Sequence, residues 1–480
     1  MRLFTLLAGL VVLLGNCALA QSVDNLELKT ALLRSVENQY ASLQSMSDEI
    51  WRYAETALHE SQSSELLADY AARQGFRVVR GIAGMPTAFI ASFGAGRPVI
   101  GIVGEYDALP RLSQAATTTR QPLQPDAPGH GCGHNLYGVA SLAAATAIKQ
   151  LMEAGKLQGT IHYFGTPAEE SIGGKTYMAR DGLFSDLDVM VSWHPDSTTR
   201  IDVSGSQAMV ETTVAFSGTA SHAAFDPWNG RSALDGLELF THSLNLLREH
   251  VRPSVRIHYS IIDGGGAPNV VPATASASVW IRDTEIDSVM QLLERMQVMA
   301  KGAAMAANVT TETRLVSGTY NMLNNKEAAK IAHANMLWLG PITYTDAETT
   351  FAIELQTAMG VPPAGLNGQP APLELEKTAV EGGSTDLADV SWIVPTLDIN
   401  VTTAPVDIPW HSWGVVASSG MSIGHRGMHY AAQVLGTTMI DLYQSPAAID
   451  AINAEFREDT SGFAYRAYVP DGPPPLPEDR

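Results

Sequence analysis

Four short runs carry side chains that could bind a metal or move a proton, at positions where soluble cores rarely tolerate them. They are G-E-Y-D at 104–107, H-G-C-G-H-N at 130–135, T-P-A-E-E at 166–170 and W-H-P-D at 193–196. The cysteine, histidines and glutamates of these runs are the ligand types of a transition-metal centre. Thiolate and imidazole favour zinc-like ions, carboxylates also suit manganese, and ligands drawn from separate segments leave positions open for water. Glu169 and Glu170 are adjacent, so backbone alternation points them in different directions, one able to bind metal and the other able to act as a base. A metal-held water has its pKa lowered to about 7 and can yield its proton to such a carboxylate. Taken singly, Cys132 reads as a small buried hydrophobe, His194 as a satisfied loop residue and the glutamate pair as a solvated helix start. Their joint placement favours the metal site. His162 lies inside an apolar run and reads as structural, and residues 264–266, three glycines without a phosphate-loop lysine, give no nucleotide signal.

Three of these runs follow apolar stretches at 98–103, 160–165 and 189–193 that read as buried strands, with a further strand at 87–93. The loop 130–135 opens an Ala-rich helix over 137–154, and another helix is expected over 175–183. Alternation of this kind predicts an α/β domain with a mainly parallel sheet covered by helices, whose ligands gather beyond the carboxyl ends of the strands. Amphipathic helices are expected over 27–72, from Leu32, Val36, Tyr40, Leu43, Met46, Ile50 and Tyr53. The pattern changes at 206–318, where strands at 209–216, 256–262, 273–281 and 309–315 alternate with helices at 231–250 and 286–307. That order predicts an inserted α+β domain of split βαβ, ferredoxin-like form. The first domain, 21–205, then resumes over 319–468 with helices at 326–339 and 428–443, and 469–480 is a Pro-rich extended or disordered tail.

Read in order, G-E-Y-D-A-L-P (104–110), H-G-C-G-H-N, G-T-P-A-E-E, W-H-P, S-H-A-A (221–224), P-N-V-V-P (268–272) and H-S-W (411–413) span nearly the whole chain. The set resembles the two-metal aminoacylase and carboxypeptidase metallopeptidases, in the branch of amino-acid-conjugate amidohydrolases and p-aminobenzoyl-glutamate hydrolases. The resemblance implies two divalent ions, zinc or manganese. Cys132 would bridge them, with His134, Glu170, His194 and His411 completing the two spheres; His425 and His429 lie near enough in sequence to compete with His411. Glu169 becomes the general acid/base, and Asp107 orients His134. His222 would enter the partner's active site in a homodimer and stabilise the oxyanion. Asn269 and Arg282 form a strand-borne pair that receives a substrate carboxylate or transition-state oxygen. The implied activity is cleavage of the amide bond of N-acyl or N-aroyl amino acids. The alternatives are a dipeptidase or carboxypeptidase acting on short peptides, and a non-catalytic periplasmic ligand-binding relative.

The remaining features bound these readings. A chain of 480 residues suggests two or three domains, and 50 acidic against 30 basic residues leave no electrostatic footprint for nucleic acid or a membrane surface. Residues 1–20 pair Arg2 with an apolar run and a small-residue Ala18-Leu19-Ala20 site, the layout of a cleavable secretory signal. Lipid attachment at Cys17 is disfavoured by the preceding Asn16. Cleavage would leave Cys132 as the one thiol of an exported, periplasmic or secreted protein. The hydrolases it resembles are generally treated as cytoplasmic and work with a second, related chain, so the leader leaves both the exact substrate and any need for such a partner open.

Overall fold

The structure, a computed structural model, describes residues 2–201, 203–376 and 383–476, with side chains from Asn25 onwards. The expected leader falls where side chains lie outside the described residues. The first stretch runs α1 (Arg2–Tyr53), α2 (Ser61–Arg73), β1 (Arg77–Arg80), β2 (Phe89–Ala95), β3 (Val99–Glu105), α3 (His134–Glu153), β4 (Gly159–Thr166), α4 (Gly174–Arg180) and β5 (Val189–Asp196). The second runs β6 (Ala208–Ser217), α5 (Ala233–Leu247), β7 (Arg256–Asp263), β8 (Thr274–Asp283), α6 (Ile286–Ala307) and β9 (Thr310–Thr319). The third adds α7 (Lys326–Leu339), α8 (Asp346–Met359), α9 (Leu387–Ser391), β10 (Thr396–Thr402), α10 (Trp413–Ser419), α11 (Ser422–Gln444) and α12 (Pro446–Asp459).

The larger sheet has the order β1-β2-β4-β3-β5-β10. Strands β4, β3, β5 and the edge strand β10 are parallel, and β2 and β1 extend the other side antiparallel. β3 is buried at every residue, the continuous apolar run that a strand covered on both faces requires. α3 packs on β3 and meets α1 and α11. Leu32, Val36, Leu43, Met46 and Ile50 of α1 are buried in that layer, so the helical spacing seen in the sequence marks a real core face. The mainly parallel α/β domain is the expected one.

The smaller sheet, β7-β8-β6-β9, is antiparallel throughout and is crossed by α5 and α6, the expected split βαβ form. Along β8 the side chains alternate, and Ala275, Ala277, Val279 and Ile281 are buried on the face that takes α5 and α6. The chain leaves the first domain after β5 and re-enters it after β9, so this sheet is inserted between halves of the larger one. Among the described residues past α12 there is no regular secondary structure, yet this segment is docked: the Arg180 guanidinium donates to the Gly472 carbonyl at 2.6 Å, and the end of the expected 469–480 tail lies outside the described residues. No helix among the described residues is long and apolar enough to cross a membrane.

Candidate metal centre

The central strands bring their carboxyl ends to one edge. Glu105, the last residue of β3, stands opposite Thr166 of β4, and His194 of β5 stands opposite Asn400 of β10. The loop before α3 rises between them. Gly133, between Cys132 and His134, has φ +81°, and a Cβ there would come within 2.9 Å of Pro195. Glycine is therefore required both for the left-handed backbone and for the close approach to the strand that carries His194.

Two sets of ligand atoms converge. Cys132, His134 and His194 each offer one atom within 4.8 Å of the others, and Cys132, Glu170 and His411 do the same. Cys132 belongs to both sets. Its Sγ is 3.4 Å from His194 Nε2, and His411 Nε2 is 3.3 Å from Glu170 Oε1. The imidazoles are arranged alike: His194 Nδ1 bonds the Pro195 carbonyl at 2.7 Å and His134 Nδ1 bonds Asp107 Oδ1 at 2.9 Å. A proton on each Nδ1 leaves each Nε2 lone pair facing the cluster, the arrangement a metal-bound histidine needs. Asp107 has a second task, since its Oδ2 accepts the Glu170 amide N–H at 2.9 Å.

His411 reaches the cluster on a separate loop. Its φ is +57°, and its amide donates to the Gly131 carbonyl at 3.0 Å, tying it to the Cys132 loop. Trp410 and Trp413, on either side of His411 in sequence, pack against a small apolar group of Leu355, Ile408, Val415 and Ala417. The two competing histidines lie elsewhere. His425 Nε2 is 2.9 Å from Asp48 Oδ1 and His429 Nε2 is 3.2 Å from Glu37 Oε2, so both face α1. His162 bonds Ser92 across the β2–β4 pair at 2.7 Å, away from the cluster.

The electrostatics fit a cation. Glu105 Oε2, His134 Nε2 and Glu170 Oε1 are buried atoms that make no hydrogen bond among the described residues, although Glu105 Oε2 and His134 Nε2 face each other at 3.0 Å. Burial first, and then the charge of Glu170, push the Cys132 thiol up. Glu169 is raised well above the carboxylate range by burial and then by Glu105, Glu170 and Asp386. Burial acts against an imidazolium at His134, but Cys132, Glu105 and Asp107 outweigh it and raise its pKa. Divalent ions would reverse this crowding of negative groups, lowering the pKa of the thiol and carboxylates they neutralise. The donor set of sulfur, imidazole and carboxylate fits zinc or manganese.

The sequence reading missed three residues here. Glu105 forms a third ligand-like group with His134 and Glu169, and its Oε2 is 3.0 Å from His134 Nε2. Behind it the buried Lys175 ammonium lies 2.6 Å from Glu105 Oε1 and 2.5 Å from Asp386 Oδ1. Glu105 was visible within G-E-Y-D as a carboxylate at a strand end; nothing local marked Lys175 and Asp386 as a pair, because they lie 211 residues apart.

A cavity of about 590 Å³ opens over the cluster, lined by Cys132, Glu169, Glu170, His194 and His411 and closed on one side by Arg282 of the inserted domain. Arg282 lies over the Trp280 ring at 5.1 Å. Asn269 is not its neighbour on a strand, which corrects the expected pairing. It sits in the turn between β7 and β8, where its carbonyl accepts the Ala223 amide at 3.0 Å. A side chain in that turn is positioned by the loop and not by the strand ladder. Asn269 thus lies beside His222, which is exposed and whose Nδ1 accepts the Ala224 and Phe225 amides at 3.2 and 3.1 Å. Neither His222 nor Asn269 lines the cavity of its own chain.

Residues 101–442 match the peptidase family M20/M25/M40. The chain belongs to this family and is a hydrolytic enzyme acting on amide bonds. It is 34% identical over 458 residues to one of the subunits of p-aminobenzoyl-glutamate hydrolase from Escherichia coli, covering 90% of this chain and 95% of that protein. To the Xaa-Arg dipeptidase of Homo sapiens it is 26% identical over 467 residues, covering 92% and 94%. Among solved structures, a dinuclear metal binding peptidase of the same family from Bacillus subtilis shares the fold, with a TM-score of 0.57 at 15% identity over 85% of this chain and 99% of that one.

Proposed function

We propose that the protein is an exported, metal-dependent amidohydrolase that cleaves N-acyl or N-aroyl amino acids of the p-aminobenzoyl-glutamate type and releases the free amino acid. The observation that carries this reading is Cys132, shared between two ligand sets with Glu169 beside them. The similarity to the p-aminobenzoyl-glutamate hydrolase chain supports the substrate class, and the apolar leader of residues 1–20 supports export.

Cys132, His134, His194, Glu170 and His411 would hold two divalent ions, which when bound polarise the scissile carbonyl and acidify the attacking water. Glu169 takes the proton of that water. It returns a proton to the amide nitrogen as the tetrahedral adduct collapses, so the amine leaves neutral. Asp107 keeps His134 in its tautomer and fixes the Glu170 backbone. Arg282, on the cavity wall, receives the substrate carboxylate. His222 and Asn269, which do not line the cavity of their own chain, act across a homodimer, His222 on the oxyanion. A related second chain is a further partner to be sought.

The similarity to the Xaa-Arg dipeptidase favours a second reading, a dipeptidase whose site accepts a free α-amine. A panel of p-aminobenzoyl-glutamate, N-acyl amino acids and dipeptides, assayed with zinc and with manganese, separates them. Faster turnover of the aroyl and acyl conjugates is expected. Faster turnover of dipeptides would favour the second reading, and tight binding without turnover of any substrate would favour a ligand-binding relative.

A further inference from the structure

Glu60 is fully buried just before α2, yet it does not cap that helix. Glu55 does, accepting the Gln62 and Ser63 amides at 3.0 and 2.9 Å. The Glu60 carboxylate is directed elsewhere: Oε1 accepts the Ala168 amide at 2.9 Å, and Oε2 accepts the Thr87 hydroxyl at 3.1 Å. Burial, and then the charge of Asp107, push this carboxyl up to about 8, so an ionisable group is kept here at a cost.

Ala168 is where that cost has an effect. It directly precedes Glu169 and has φ +61°, a left-handed conformation that an alanine adopts only when its surroundings impose it. Its carbonyl accepts the Gly173 amide at 3.1 Å, closing the turn that carries Glu169 and Glu170. On the other side of Glu169, the Glu170 amide is held by Asp107 at 2.9 Å. The amides flanking Glu169 are thus each gripped by a buried carboxylate from another part of the fold. We propose that Glu60 is a positioning residue for Glu169, holding Ala168 in the left-handed conformation that turns the Glu169 side chain into the cleft. The role rests on Glu169 being the proton-transfer group.

Steady-state kinetics and metal content of four variants test this. Glu60→Ala should lower kcat by roughly ten- to a hundredfold with KM changed by less than about twofold, because a displaced base weakens the chemical step and not substrate binding. Glu60→Gln, whose amide oxygen can still accept the Ala168 amide, should keep kcat within about threefold of the parent. Adding Ala168→Gly to Glu60→Ala should recover much of kcat, since glycine adopts φ near +60° without strain. Should Glu60→Ala not fold, Glu60→Asp, which keeps the carboxyl group but draws it back by one methylene, carries the same expectation. Full kcat in folded Glu60→Ala or Glu60→Asp, or no recovery with Ala168→Gly, would overturn the proposal. Glu169→Gln, measured alongside, separates the two levels: if it abolishes turnover while Glu60→Ala does not, only the positioning role fails, and if it leaves turnover intact, the general base itself is misassigned.

Discussion

Glu169 stands among acidic neighbours, and burial followed by Glu105, Glu170 and Asp386 raises its pKa far above that of a free carboxylate. Its ionised form therefore depends on cations beside it. Glu169→Gln keeps the size of the side chain and the five proposed ligands, so metal content should be unchanged while turnover falls by about a hundredfold or more, measured on one substrate at saturating metal. Cys132 is buried and free of any disulfide, and it is the atom common to both ligand sets. Cys132→Ser should lower metal content and activity together without altering the mass of the reduced against the unreduced chain. Asp107 makes two contacts that matter, one to His134 and one to the Glu170 amide. Asp107→Ala should weaken metal affinity by roughly ten- to a hundredfold in a chelator competition, and an unchanged affinity would remove it from the support of the centre.

At the level of elements, α9 ties the C-terminal segment to the domain through Asp389, which accepts the Tyr465 hydroxyl at 2.6 Å and the Tyr320 amide at 3.3 Å. Burial, opposed by these two donors, pushes Asp389 up to about 7. A raised carboxylate contributes its full stability below the ordinary value of 3.8 and loses it as pH climbs towards about 7, because the folded state gives up its proton reluctantly. Asp389→Asn cannot ionise, so denaturant melts between about pH 4 and about pH 7 should show the parent losing up to about 4 kcal/mol relative to the variant. A constant difference across that window would show that Asp389 does not titrate there. The strands that carry the centre were legible because β3 is a continuous apolar run, β4 and β5 are predominantly apolar, and all three end in polar residues. β10 was not, since T-L-D-I-N-V-T interleaves polar residues with a core strand, and β1 is only four residues long. α8 opens with a Thr345–Glu348 capping box that was available in the sequence, but its weakly patterned faces gave no period. Glu60 and Ala168 could not be paired in advance, because a left-handed alanine and the carboxylate that holds it 108 residues away share no local signal.

For the whole molecule, the cleft is assembled from both domains: the larger sheet supplies the ligands and the inserted sheet supplies Arg282. His222 and Asn269 sit together on that inserted domain without lining the cavity of their own chain, and a contribution to a second copy would explain why. Mixing His222→Ala with His194→Ala should then restore part of the activity that each lacks alone, through one intact composite site; no recovery would argue against action across a dimer. The acidic balance of 50 Asp and Glu against 30 Lys and Arg has no assigned part in this, although the centre itself concentrates negative groups that only cations can balance. The central claim is that Cys132 joins two ligand sets into one two-ion centre, and the most direct measurement is the number of metal ions bound per chain after reconstitution with zinc or manganese. The expected result is about two per parent chain, falling in Cys132→Ser. A parent chain that binds one ion or none while remaining folded would contradict the account.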